Sequence, residues 1–370
     1  MYVISRYIFR TQSRHTYKTF YVLNRFQSVD KQTPMNIENP PHIPVLLNEV
    51  IEYLKPKKGS VLIDMTFGAG GHTKALLENT PALKIICLDR DFTAYNYAIK
   101  LSEKHPNKII PLLGKFSELP RLLKDLGIKQ NSIDGILFDF GCSSMQFDTA
   151  ERGFSISKDG PLDMRMDGTR FPNTPTAAEV LANADEEDLY RIFKIYGEEK
   201  NSRKIARAIV EARYTFCSLQ TTKELANFVA GICDADFRKD KLQRNVHFAT
   251  KIFQALRIFV NNELNEINYG MIVAHKYLKV GGRLVTLSFH SLEDTIVKRH
   301  LTGHVIDNVI GSLPLKYCDH GTTTDEESMK DIMSPSWKIV TKHVVLPTDE
   351  EVEQNARSRS AKLRSAIKIR

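Results

Sequence analysis

One stretch of the sequence carries the pattern of a ligand-binding turn. Asp64-Met65-Thr66-Phe67-Gly68-Ala69-Gly70-Gly71-His72 follows the short apolar run Val61-Leu62-Ile63. Glycines there let the backbone approach a ligand and open a helix whose N-terminus favours negative charge. The next apolar run, Ile85-Ile86-Cys87-Leu88, closes on Asp89, 21 residues after Gly68. A carboxylate at that point can accept hydrogen bonds from both hydroxyls of a ribose. A dinucleotide and S-adenosylmethionine fit this pairing equally. The GxGxxG spacing is incomplete, because its sixth position is Thr73, and no GxxxxGK[ST] run supports a P-loop nucleotide hydrolase. Phe116, after a third apolar run, is placed either against an adenine face or in the core. Asp139 ends a fourth run, at the carboxyl end of the strand where ligands collect in open α/β folds, and a carboxylate there could act as a general base.

Other reactive residues form no comparable pattern. Ser288, His290 and Asp294 lack a Gly-x-Ser-x-Gly elbow and read as lining residues, not as a hydrolase trio. Cys142 reads as a small pocket or core residue. Cys318-Asp319-His320 is too sparse for a metal site, and the five cysteines contain no CxxC pair, which suits a reducing compartment.

The elements that must position these residues alternate. Strands are expected at 61–64, 85–89, 109–113 and 135–140, separated by helices over 92–104 and 117–126, with a further helix opening at the glycine turn. Such alternation implies a parallel sheet covered on both faces. From Cys142 to about Arg244 the rhythm stops, with turns and helices but no convincing strand. It resumes with one long helix carrying Phe253, Leu256, Val260, Leu264 and Ile267 on a single face. A stop and turn follow at 278–282, then a fifth strand at 283–289. The expected organisation is a sheet domain over 42–141 and 245–345, interrupted by a helical insertion at 142–244.

The net charge of +8 is concentrated at the ends. Residues 1–29 carry Arg6, Arg10, Arg14, Lys18 and Arg25 and no acid, the composition of an organellar targeting segment. A proline-bearing linker spans 30–41. Six basic residues and no acid follow Glu353, so 346–370 reads as a basic tail. Without these eleven, 41 basic residues face 44 acidic ones, and 30–356 sums to −3. Attraction to an anionic partner therefore rests on local patches. One is Lys200, Arg203, Lys204, Arg207 and Arg213, on an expected helix that could track phosphates. No run approaches the length of a membrane span.

Several longer segments carry a resemblance. They include His42-Ile43-Pro44-Val45-Leu46-Leu47, the glycine turn, Asp139-Phe140-Gly141-Cys142-Ser143-Ser144, Asp159-Gly160-Pro161-Leu162-Asp163-Met164-Arg165-Met166, Phe253-Gln254-Ala255-Leu256-Arg257-Ile258 and Ser288-Phe289-His290-Ser291-Leu292-Glu293-Asp294. Together they resemble the RsmH (MraW) family of S-adenosylmethionine-dependent rRNA N4-cytosine methyltransferases, and most nearly its mitochondrial members. The chain departs from the family pattern at Phe140 and Cys142, at Phe248 and Lys251, and at Thr295. The resemblance implies a class I, Rossmann-like methyltransferase fold, mitochondrial (matrix) localisation and small-subunit rRNA as partner, either free or within an assembling particle. It implies that Gly70, Gly71 and His72 border the amino-acid end of S-adenosylmethionine and that Asp89 holds its ribose. Phe116 would lie on the adenine side, with Asp139 and Gln146 completing the pocket. Two other readings compete: a nicotinamide-dependent oxidoreductase, and a non-catalytic, methyltransferase-like RNA-binding assembly factor.

Overall fold

The computed structural model describes residues 43–215, 218–233, 237–239, 245–303 and 336–370. The expected targeting segment at 1–29, the 30–41 linker and Cys318-Asp319-His320 lie outside these residues. Helix α1 (Leu47–Leu54) leads into β1 (Val61–Asp64), α2 (Gly71–Asn79), β2 (Lys84–Asp89), α3 (Phe92–Lys104), β3 (Ile109–Leu113), α4 (Leu119–Asp125) and β4 (Ile133–Asp139). The alternation read from the sequence is thus realised. Ile85, Ile86, Cys87 and Leu88 are all completely buried, as befits a parallel strand covered by helices on both faces.

The helical region contains α5 (Ser144–Asp148), α6 (Ala177–Asn183), α7 (Glu186–Ile195), α8 (Ser202–Tyr214) and α9 (Thr222–Cys233). These helices surround their own buried cluster, which includes Leu181, Leu189, Phe193, Ile205, Ile209, Leu225 and Val229. The absence of strands here was expected but does not hold throughout. Strands β5 (Phe237–Lys239) and β6 (Asn245–His247) pair antiparallel, though three residues each are too short to show periodicity.

The expected single long helix is two, α10 (Thr250–Asn261) and α11 (Glu263–Tyr277). The break is Asn262, whose φ of 50° is left-handed, a conformation Asn tolerates better than most residues. Helix α10 buries Ile252, Phe253 and Leu256 in the helical cluster, whereas α11 packs Ile267, Met271 and Ala274 against the sheet. Strand β7 (Leu278–Ser288) begins where a turn was expected. The irregularity survives as a register shift against β4 beside Gly281 and Gly282. Helix α12 (Ser291–Thr302) follows, then β8 (Trp337–Ile339), α13 (Asp349–Gln354) and β9 (Lys362–Lys368).

The basic C-terminal tail is corrected most clearly. It supplies β9, which lies between β7 and β8 and pairs antiparallel with both. The sequence concealed this because its cations are neutralised internally. Arg364 forks onto Asp294 at 2.6 and 3.0 Å, and the buried Lys368 ammonium donates to Asn131 Oδ1 and to the carbonyls of His275 and Leu278. Among the described residues the sheet order is β3-β2-β1-β4-β7-β9-β8, with the first five strands parallel. The chain reverses direction across the sheet between β1 and β4, and that switch point opens a crevice at the carboxyl ends of the strands.

Candidate active site

A cavity of about 590 Å³ fills this crevice, a size suited to a small-molecule ligand. Gly71, His72, Asp89, Phe116, Asp139 and Gln146 all line it, so six of the seven residues singled out converge. Gly70 stands just behind. It precedes α2 with φ of 81°, and a Cβ there would lie 2.6 Å from the Phe67 ring, so only glycine fits this turn.

Asp64 is the hidden anchor of the turn. Its carboxylate accepts hydrogen bonds from Thr73 Oγ1 at 2.7 Å and from the Thr66 amide at 3.2 Å. Burial raises its pKa, and these hydrogen bonds work against that shift. Asp89 accepts the amide of Gly68 through Oδ2 and that of Asp91 through Oδ1, each at 2.8 Å. One carboxylate thus ties the two ligand-facing turns together, and each oxygen keeps a further lone pair for a ligand hydroxyl. Burial, followed by the charge of Asp91, pushes Asp89 up to about 7.

Phe116 lines the wall and meets Phe138 edge-on at 5.3 Å, so the same ring borders the cavity and packs on the core. His72 is buried, and its Nε2 lies 3.0 Å from the Val45 carbonyl. That contact places the ring proton on Nε2. Nδ1 faces Asp139 Oδ2 at 3.8 Å. Burial pushes Asp139 up to about 6, against the opposing influence of His72.

Gln146 is more constrained than expected. Its Oε1 accepts the Ser143 amide in a capping box, and its Nε2 donates to Asp91 Oδ2 at 2.8 Å. Asp91 also receives Arg152 Nη1 at 2.6 Å, while Arg152 Nη2 donates to the carbonyls of Arg165 and Met166. Gln146 therefore faces the cavity while holding the β2 turn to the helical region. Asp91 and Arg152 were missed, because nothing in their spacing joins residues so far apart in sequence.

Arg257, Glu263 and Lys115 also line the cavity without having been singled out. Arg257 Nε and Nη2 fork onto Glu263 at 2.8 and 2.9 Å, across the α10–α11 break. Burial opposes the charge of Arg257, but Cys142, Glu263 and Glu293 outweigh it and raise the pKa. The only available signal was that Arg257 and Glu293 fall within segments carrying the family resemblance.

The residues set aside behave accordingly. Burial pushes the Cys142 thiol up to about 12, far from a nucleophilic thiolate. His290 caps α12 by accepting the Leu292 amide, and Asp294 holds Arg364, so no triad forms. Among the described residues, no group of His, Cys, Asp and Glu could hold a metal ion, and no helix is long and apolar enough to cross a membrane.

The basic patch on α8 needs correction. Arg213 donates to the carbonyls of Leu181 and Ala184, closing α6. Arg203 pairs with Glu187 and lies 4.0 Å over the Tyr190 ring, Arg207 pairs with Glu186 at 3.6 Å, and Lys204 donates to the Ile232 carbonyl. These cations are largely committed within the protein.

The sheet order, with its antiparallel pairing next to the fifth parallel strand, and the cavity at the switch point give a class I methyltransferase fold. The model of the MraW methylase family matches residues 39–369, and the chain belongs to that family. It is 49% identical over 360 residues to the 12S rRNA N(4)-cytidine methyltransferase METTL15 of Homo sapiens, covering 94% of this chain and 86% of that protein. It is 44% identical over 326 residues to the ribosomal RNA small subunit methyltransferase H of Parvibaculum lavamentivorans, covering 88% and 89%. A Culex quinquefasciatus protein named as a receptor-type tyrosine-protein phosphatase, mosPTP-1, is 59% identical over 335 residues; the match takes in 90% of this chain but only 23% of that much longer protein.

Proposed function

We propose that this protein transfers a methyl group from S-adenosylmethionine to the N4 amine of a cytidine in mitochondrial small-subunit rRNA, supporting small-subunit assembly in the matrix. The observation that carries the reading is Asp139, at the end of β4, facing His72 Nδ1 across 3.8 Å inside the cavity. The names of the relatives and the acid-free stretch at 1–29 support the substrate and the compartment.

The cavity suits the donor. Asp89 holds the ribose, Phe116 borders the adenine, and the turn at Gly70, Gly71 and His72 receives the amino-acid end. When bound, the donor supplies an electrophilic methyl on a sulfonium. Cytosine N4 is a weak nucleophile, its lone pair delocalised into the ring, so placement and exclusion of water supply much of the acceleration. Asp139 orients the amine through one N–H and takes that proton as the methyl arrives. Because its carboxyl is held near 6, Asp139 is ionised at neutral pH yet basic enough to accept. His72, its Nε2–H held by the Val45 carbonyl, turns Nδ1 toward the same space. The helical region 142–244 acts as the substrate lobe that receives the RNA strand and keeps the target base out of its stack.

The test is to map methylated cytidines in mitochondrial small-subunit rRNA with and without the protein. Loss of one N4-methylcytidine on removal is expected; an unchanged pattern overturns the reading. A non-catalytic assembly factor predicts methylation that survives Asp89→Ala. A nicotinamide-dependent oxidoreductase predicts binding of NAD in place of S-adenosylhomocysteine.

A further inference from the structure

We propose that Arg257 and Glu293 read the Watson–Crick edge of the target cytosine, an inference that rests on the function proposed above. Gly141 follows Asp139 and Phe140 with φ of +97°, and a Cβ built on it would lie 3.8 Å from each of Arg257 Nη1, Arg257 Nη2 and Glu293 Oε1. These are ordinary contact distances, so the backbone at Gly141 faces two donors and one acceptor with no side chain of its own between them. Gly141 and Arg257 line the donor cavity. Arg257 also lines the adjoining cavity of about 810 Å³, with Phe147, Phe154 and Phe253. Its guanidinium therefore stands where a base entering from the helical side would meet the methyl donor.

The cluster is built but unbalanced. Glu263 occupies Nε and one hydrogen of Nη2, which fixes the plane of the guanidinium and leaves its end-on face, Nη1 with Nη2, towards Gly141. Glu293 is 1% exposed. Its Oε2 accepts the Phe289 amide at 2.8 Å, but Oε1 accepts no hydrogen bond, with Arg257 Nη2 out of alignment at 3.5 Å. Two buried carboxylates thus face one guanidinium, and one acceptor lacks a donor, which is costly in a closed site. Burial pushes Glu293 up to about 7, while the Arg257 charge beside it favours the ionised, accepting form.

Cytosine presents N4–H as donor and N3 and O2 as acceptors. The atoms around Gly141 are the complement: Glu293 Oε1 for N4–H, and the two Arg257 nitrogens for N3 and O2. The second N4 hydrogen is left for Asp139. Uracil, with O4 as acceptor and N3–H as donor, sets acceptor against acceptor and donor against donor at two of the three positions.

The test uses two short RNAs spanning the mapped methylation position, identical except for C or U there. Each is titrated against the full chain saturated with S-adenosylhomocysteine. The wild type should bind the C form at least about tenfold more tightly than the U form, the discrimination expected of a bidentate base contact. Glu293→Gln should reduce the ratio to about threefold or less, because a carboxamide can also donate to O4. Arg257→Lys, which keeps the charge and loses the fork, should reduce it similarly and serves if Glu293→Gln does not fold. S-adenosylhomocysteine affinity should hold in both. An unchanged C-to-U ratio in a folded variant, or a parallel loss of cofactor affinity, overturns the assignment while the proposed function stands. A wild type that methylates no rRNA cytidine overturns both.

Discussion

The two sides of the cavity are built differently. On the donor side, the turn after β1 and the acid after β2 lie within 26 residues of sequence, and their groups are satisfied locally by short hydrogen bonds. Asp64 holds Thr66 and Thr73, and Asp89 holds Gly68 and Asp91. On the substrate side, Asp91 meets Arg152, Arg90 meets Asp167, and Arg257 meets both Glu263 and Glu293, from elements that only the tertiary fold brings together. One side is a motif; the other is an assembly. A fixed ligand can be met by a compact turn, whereas a base within a long polymer must be met by several elements at once.

The largest expected effect tests the donor side. Asp89→Ala removes the carboxylate proposed to accept both ribose hydroxyls and should weaken S-adenosylhomocysteine binding on the order of 100-fold by titration calorimetry. Affinity for rRNA should be unchanged, and a parallel loss would erase the distinction between the two sides. Asp139→Asn should lower kcat by about 100-fold or more while cofactor affinity holds within about threefold. Because the carboxylate is the working form and its pKa is raised to about 6, the wild-type rate should be full above that pH and fall as pH drops through it. The Asn variant should lose that limb of the profile.

Smaller effects sharpen the substrate side. Arg152→Ala leaves Asp91 buried without its cation and should cost about 3 kcal/mol, seen as a lowered Tm. Neutralising Arg203 and Arg207 to Gln should change rRNA affinity by less than about twofold, since the carboxylates of Glu187 and Glu186 beside them offset their charge toward a phosphate. A flattened salt dependence in that variant would show that α8 does track phosphates.

The same contrast explains what could be read in advance. The parallel strands and the donor-side residues were legible because buried strands are continuous apolar runs and the turn chemistry is local. Strand β9 was not, because Arg364 and Lys368 look solvated until Asp294 and three oxygen acceptors are brought to them. The break at Asn262 was hidden because apolar spacing continues across it, yet it sets Glu263 against Arg257. The cations of α8 were legible as a patch, but their partners on α6, α7 and α9 were not.

The central claim is tested most directly by the product. Purified protein is incubated with S-adenosylmethionine carrying a labelled methyl group and with small-subunit rRNA, and the RNA is then digested to nucleosides and resolved by mass spectrometry. The label is predicted in N4-methylcytidine, appearing about 100-fold or more slowly when Asp139 is replaced by Asn. Label in 5-methylcytidine, in another nucleoside or in none would contradict the account.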